Sequence, residues 1–506
     1  MSDERRAPTR GMNRSIRQLG VGFVVLYVVL FGALLYWQVI STERLASEEG
    51  NNRALLRQYE RPRGEIVTSD GIVVARSIAT LNSDSPYQRS YPEGELYAHL
   101  TGYMTLRLGS TQLERLWSDE LTGDTAAQQL LAVGELIGGR VADTSGSVHL
   151  TIRNDLQRAA REALGDREGS VIVLDVQTGA ALAMWSWPSF DPNIVVDPDY
   201  ETAYAYLDSL YEDDRDPLLA NSYQQRYMPG STMKLLTTSI ALANGTTTLD
   251  RVWPDEATWL PPQTNDPIEN YGGSVCGGNL TEVFRRSCNI PFAQLAVEMG
   301  PDPFNLGVSA WGVGTPVPID LPRAATSTIG DDVDTLGDNL PLLAMRGFGQ
   351  NEVQLVPLHL ALITAGIANG GIMHEAFVVD EVRNHSGGVL YAAEPTIWRQ
   401  PIGSDVAATM VALMTEVATS GTASCCIGLN NGITVAAKTG TAQLNGPGEP
   451  ERSHAWITAF APVESPRYAV TVMVKGTTDE ISASTGGRLA GPIAKAVLDA
   501  AFARDN

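Results

Sequence analysis

Three short stretches of this chain hold residue types that together could attack and open a carbonyl group. In the first, Pro229-Gly230 precedes a helical run in which Ser231 and Lys234, three residues apart, share one face. An unprotonated Lys234 could take the Ser231 proton, the activation an otherwise inert hydroxyl needs, while the helix amino terminus would favour a developing oxyanion. The second is Ser287-Cys288-Asn289, followed by Ile290-Pro291, in a polar turn between helical stretches. Its hydroxyl could relay a proton to a leaving group, and the Asn289 amide offers both a donor and an acceptor, suited to gripping a peptide or fixing a lysine. The third, Lys438-Thr439-Gly440-Thr441, closes a predicted strand over 433–437. A strand edge can present backbone groups to an extended peptide, Gly440 permits close approach, and Lys438 supplies a local cation.

Singly, the first reads better as a solvated helix face and the second as a helix cap, and the third reads equally well as a strand-ending turn. Their joint order changes that reading: Ser-x-x-Lys, Ser-x-Asn and Lys-Thr-Gly follow one another about 56 and then about 151 residues apart. Lysine is also scarce. Of 36 basic residues only Lys234, Lys438, Lys475 and Lys495 are lysines, and two of the four fall in these stretches. Lysine can give up its proton in a buried site and arginine cannot, so the choice carries chemical weight.

The elements that must position these residues show in the pattern around them. Alternating residues over 65–75, broken at Ser69-Asp70-Gly71, predict a hairpin. A break at 143–147 predicts a linker. Beyond it Asn154 heads a one-faced helical pattern, and 170–176 and 180–187 predict a buried hairpin. Helical stretches, among them 358–369, fill the middle. Strands return at 433–437, 455–461 and 468–474, before a closing helix from about 492 to 503. Strands at both ends of a domain with helices between imply an α+β fold with one sheet built from both ends.

A net charge of -22 excludes the broad basic face that captures nucleic acid. Residues 19–40 are uncharged, and long and apolar enough to cross a bilayer once. Arg5, Arg6, Arg10, Arg14 and Arg17 precede them, which places the amino terminus in the cytoplasm and the remainder outside. The run exceeds a signal-peptide core and lacks a small-x-small cleavage site, so it is read as a retained anchor. Of the four cysteines, Cys276 and Cys288 are candidates for a disulfide. Adjacent Cys425 and Cys426 are expected to stay unpaired with each other, because neighbouring positions strain the bond. No zinc spacing occurs.

With these motifs the chain resembles the class B penicillin-binding proteins, and among them the actinobacterial PbpA group of monofunctional transpeptidases. The likeness extends to Arg63-Gly64-Glu65-Ile66, to the pedestal signature at 91–99 (YPEGELYAH), and to 347–350 (GFGQ) and 367–371 (IANGG). It implies a cytoplasmic tail 1–18, a membrane anchor 19–40, a β-rich pedestal 41–147, and a transpeptidase domain 148–506. That last domain would have a five-stranded antiparallel sheet flanked by helices, with an all-helical subdomain, as in the β-lactamase and transpeptidase fold. The catalytic residues would be Ser231, Lys234 and Ser287. Asn289, Lys438, Thr439, Gly440 and Thr441 would bind substrate, and the N–H groups of Ser231 and Thr441 would form an oxyanion hole. The implied reaction is cross-linking of peptidoglycan stem peptides through a serine acyl-enzyme, which β-lactams would trap. Neither cofactor nor metal is implied, and the expected partner is a membrane glycosyltransferase, since about 110 residues between anchor and catalytic domain are too few to supply polymerisation. Three rival readings remain: a D,D-carboxypeptidase or β-lactamase that uses water as acceptor, a β-lactam sensor, and a non-catalytic scaffold.

Overall fold

The computed structural model describes residues 10–35, 61–81, 86–130, 144–330, 339–444 and 452–503. The chain divides into two compact units, Met1–Arg61 and Pro62–Asn506. The first contains helix α1 (Arg10–Leu35), whose window Ile16–Ala33 has a mean hydropathy of 1.9 and exposed apolar side chains. Length and composition suit a membrane anchor or a signal segment. The rest of the basic tail (1–9), the end of the apolar run (36–40) and the start of the expected pedestal (41–60) lie outside the described residues.

In the second unit, the chain first forms β1 (Ile66–Val67), β2 (Val73–Ala79), β3 (Tyr87–Ser90) and β4 (Ser147–Leu150). There follow α2 (Asn154–Leu164), β5 (Gly169–Asp175) and β6 (Ala181–Trp187). The helical middle includes α3 (Lys234–Ala243), α4 (Leu280–Arg285), α5 (Ile290–Met299), α6 (Leu340–Gly347) and α7 (Pro357–Ala368). The chain ends through β7 (Val379–Arg383), β8 (Val389–Ala392), α8 (Ser404–Thr419), β9 (Ala436–Gln443), β10 (Ser453–Ala461), β11 (Tyr468–Val474) and α9 (Gly486–Ala503).

Two sheets organise this unit. One is antiparallel with order β9-β10-β11-β5-β6, so early and late strands do share a sheet. Every residue of β10 and β11 is buried, which leaves neither face to water. Helices α2 and α9 pack on each other and on this sheet, and α7 packs on it as well. Apolar on all sides, α7 is buried along nearly its whole length, as such a helix must be. Its one buried hydroxyl of note, Thr364, bonds Thr458 at 2.5 Å, and Thr458 bonds Thr471 at 2.7 Å, so the polar atoms satisfy one another.

The second sheet, β8-β7-β4-β1-β2-β3, joins the amino-terminal strands to a hairpin from far down the chain. Its strand β4 begins at Ser147, so the sheet continues through the break expected there. Beside it lies a buried ion cluster. Glu114 accepts from Arg63 Nε and from Arg89 Nε, each at 2.6 Å, and all three side chains are almost fully buried. Tyr91 adds a bond to the same carboxylate at 3.3 Å. The segment that follows then docks on the catalytic body: Tyr91 N donates to Asn193 Oδ1 at 2.9 Å, Tyr97 Oη to Asn154 Oδ1 at 2.9 Å, and Gln157 Nε2 to Leu96 O at 3.0 Å.

Three expectations need correction. Strand β9 does not end before Lys438; it begins at Ala436 and carries the Lys-Thr-Gly-Thr motif through to Gln443, in register with β10 from Ala436↔Phe460 to Gln443↔Ser453. Ladder pairing there overrides glycine and polar residues that lack a strand pattern. Helix α9 starts at Gly486 and not near Pro492. Its glycines are poor helix formers, but the backbone there runs so close to the sheet that a Cβ on Gly486 would come within 2.3 Å of Gly440 O. Finally, Cys425 and Cys426 are bonded to each other, as are Cys276 and Cys288. The geometric argument against neighbours applies to extended chain. Here a turn, closed by Ser424 N to Gly421 O and Cys426 N to Ala423 O, brings both sulfurs to one side.

Candidate active site

Ser231 lies in a 3-10 turn (Gly230–Met233) that leads straight into α3. Three neighbours fix this turn. Gly230 N donates to Gly349 O at 3.0 Å, Trp456 Nε1 donates to Met228 O at 2.9 Å, and Tyr227 and Leu355 exchange backbone bonds. The packing is backbone on backbone: a Cβ on Gly349, whose φ is +81°, would sit 2.0 Å from Gly230 O, and one on Gly440 would sit 2.6 Å from Pro229 O. Gly349→Ala is therefore expected to push the Ser231 turn out of place. Acylation of Ser231 by a carbonyl-reactive probe should fall about 10²-fold while circular dichroism stays native-like; a second-order labelling rate within twofold of wild type would refute this role.

Lys234 opens α3 and is fully buried. Its Nζ donates to Ser287 O at 2.8 Å and Asn289 Oδ1 at 2.9 Å, with Ser287 Oγ at 3.4 Å. The expected approach to Ser231 is thus not among its hydrogen bonds; all three go to the second motif. Burial first, and the nearby Lys438 charge second, push the Lys234 amine well below the ordinary lysine range. On the other side Lys438, also buried, donates to Ser287 Oγ at 2.9 Å and Thr439 O at 2.9 Å, and burial pushes it down to about 7. The Ser287 hydroxyl therefore lies between two lysine amines.

Holding that hydroxyl there takes backbone strain. Ser287 has a φ of +61°, a left-handed conformation rare outside glycine. The loop that imposes it is clamped to the segment 269–276: Asn289 Nδ2 donates to Glu269 O at 3.0 Å, Asn289 N to Asn270 Oδ1 at 2.8 Å, and Cys288 is bonded to Cys276. So the middle residue of the second motif points away from the cleft, into a covalent tie.

Ser231, Ser287, Asn289, Thr439 and Thr441 line one cleft, with Lys234 and Lys438 buried behind it and Gly440 packed beneath the Ser231 turn. Strand β9 is at the edge of its sheet, so among the described residues backbone groups on its outer side have no strand partner beside the cleft. Sequence reasoning missed Tyr271, Arg286, Thr422, Gln443 and Thr485, which line the same cleft. Thr422 bonds Thr439 at 2.6 Å across 17 residues. Gln350, also at the cleft, belongs to the 347–350 stretch that had been singled out. This arrangement holds a hydroxyl on a helix start, a neutral-prone amine, a second hydroxyl between two amines and a strand edge, a set of groups that could serve acyl transfer from a peptide.

Comparison with known families settles the lineage. Residues 169–499 match the penicillin binding protein transpeptidase domain, and residues 63–147 match the penicillin binding protein A dimerisation domain. The chain belongs to the class B penicillin-binding protein transpeptidases. This penicillin-binding protein is 35% identical to the peptidoglycan D,D-transpeptidase PbpA of Mycolicibacterium smegmatis, over 97% of this chain and 99% of that one. It is 34% identical to the PbpA of Mycobacterium tuberculosis over 97% and 99% of the two chains. Its fold resembles that of M. tuberculosis penicillin-binding protein A solved as a ceftriaxone acyl-enzyme, with a TM-score of 0.81 at 33% identity, covering 88% of this chain and all of that one. The penicillin G acyl-enzyme of the same protein gives 0.78, covering 87% and 100%.

Proposed function

We propose that this chain is a peptidoglycan D,D-transpeptidase, with its apolar helix as a single-pass plasma-membrane anchor, its amino terminus in the cytoplasm and its catalytic domain outside. In this reading residues 1–18 form the tail, 19–40 the anchor, 41–147 the pedestal and 148–506 the catalytic domain. Ser231 Oγ attacks the carbonyl of the penultimate D-alanine of a stem peptide as Lys234 Nζ takes its proton. The departing D-alanine amine receives a proton through Ser287, leaving an ester on Ser231. An amine from a second stem then displaces Ser231, forming the cross-link and returning the proton. Asn289 holds the donor peptide, Lys438 and Thr439 orient its carboxylate, Gly440 gives the close approach, and the N–H groups of Ser231 and Thr441 hold the oxyanion. β-Lactams acylate Ser231 in this reading, which the ceftriaxone and penicillin G acyl-enzyme structures of the M. tuberculosis relative support. Polymerisation falls to a separate membrane glycosyltransferase.

The observation that carries this reading is the Ser287 hydroxyl, 2.9 Å from Lys438 Nζ and 3.4 Å from Lys234 Nζ, which links all three motifs in one proton path beside Ser231. Incubation with paired stem peptides followed by product analysis tests it. Cross-linked dimer with release of one D-alanine per bond is expected. D-Alanine release without dimer would make water the acceptor and the enzyme a carboxypeptidase. If Ser231→Ala supported normal wall assembly in cells, the chain would be a scaffold.

A further inference from the structure

The cleft has one charged side chain at its mouth. Its lining residues are serine, threonine, asparagine, glutamine, glycine and tyrosine, plus Arg286; among the described residues no carboxylate lines it. Lys234 and Lys438 lie behind, with amines already engaged by Ser287, Asn289 and Thr439. Arg286 differs from its neighbour Arg285, which is paired with Glu282 at 2.9 Å. Arg286 instead donates from Nη2 to Val275 O at 2.8 Å. That bond joins the same two segments as the Cys276–Cys288 link, so the guanidinium is held by one hydrogen bond on a loop that the disulfide also fixes. One of five N–H donors is used, and the rest are free to grip a planar anion bidentately.

In a chain of net charge -22, a pre-placed cation in a cleft without counter-charge is a recognition element. Resting on the transpeptidase reading, we propose that Arg286 is a specificity-determining residue that binds a carboxylate carried by the side chain of the third stem residue. That residue would be a diamino acid bearing a second carboxylate, as opposed to lysine or the corresponding primary amide. The terminal carboxylate of the donor is a separate charge, assigned above to Lys438 and Thr439. The third-residue carboxylate can arrive on the donor stem or, beside the attacking amine, on the acceptor stem; the two enter at different steps.

The test uses the full chain and two synthetic stem pentapeptides that differ only in a side-chain carboxylate or its amide. D-Alanine release reads the donor step; the ratio of dimer to hydrolysed product reads the acceptor step. Wild type should prefer the carboxylate by about tenfold or more in kcat/KM at one of these steps, the size of a charged hydrogen bond, and the preference should shrink with added salt. Arg286→Gln should bring the ratio close to one, and Arg286→Glu should invert it. A ratio that Arg286→Gln leaves unchanged, or one already near one in wild type, overturns the proposal even when dimer forms. Absence of dimer with either peptide would defeat the transpeptidase reading, while D-alanine release would still report on Arg286.

Discussion

Lys234→Arg is expected to lower the second-order rate of penicillin acylation by about 10² to 10⁴-fold, the usual worth of a general base, and Ser231→Ala to abolish covalent labelling. Arginine keeps a cation near Ser287 O and Asn289 Oδ1 but does not lose its proton. Methionine at 234 would remove base and charge together, so the arginine variant isolates the proton transfer. The sign of the pH dependence follows from the two amines. In the proposed mechanism neutral Lys234 is the active form, so acylation is expected to rise with pH through its folded pKa. Since burial and then Lys438 depress that pKa, the rise falls on the acid side of the ordinary lysine range. In the proposed mechanism Lys438 acts as a cation toward the substrate carboxylate, and burial pushes its pKa down to about 7, which starts the falling limb. In Lys438→Gln the falling limb should vanish, and the rising limb should move to higher pH because one cause of the Lys234 depression is gone. Stopped-flow acylation across pH measures both. Wild-type rates in Lys234→Arg, with an unchanged profile, would remove Lys234 as the base.

The motif residues that meet at the cleft were legible because chemistry restricts them. A serine, two lysines and an amide at fixed order leave a trace in sequence that no core pattern produces, and buried strands such as β11 announced themselves by apolar runs. What escaped was set by tertiary contact. Thr422 and Thr485 reach the cleft only because the α8 turn and the start of α9 fold onto β9, and nothing periodic marks them. The misplaced ends of β9 and α9 share one origin: glycine and polar residues, read locally as breakers, are held regular by the neighbouring backbone. The Cys425–Cys426 bond was misjudged because an argument about neighbours in extended chain was applied to a turn. The resemblance marked Arg63 and Tyr91, but neither spacing nor composition revealed that both converge on Glu114.

That convergence sets the largest expected stability effect outside the cleft. Removing Glu114 leaves the Arg63 and Arg89 guanidiniums buried with no carboxylate, and breaking a buried pair from one side typically costs about 3–5 kcal/mol. Glu114→Ala should therefore lower the unfolding free energy by that amount, whereas Arg115→Ala, next to it on an exposed position, should stay within about 0.5 kcal/mol of wild type. Burial alone would raise the Glu114 carboxyl. The charges of Arg89 and Arg63, with their hydrogen bonds, outweigh it and hold the group below its ordinary 4.5. A carboxyl with a depressed folded pKa contributes stability above its unfolded pKa and loses it as pH falls through the folded value. The stability gap between wild type and Glu114→Gln should accordingly narrow only below about 4.5. Because Tyr91 bonds Glu114 with its hydroxyl and Asn193 with its backbone, loss of the cluster also loosens the 91–99 segment that seats the pedestal on the catalytic body. Urea unfolding followed by tryptophan fluorescence checks the energy, and equal midpoints for Glu114→Ala and Arg115→Ala would show that the cluster does not hold this pedestal together.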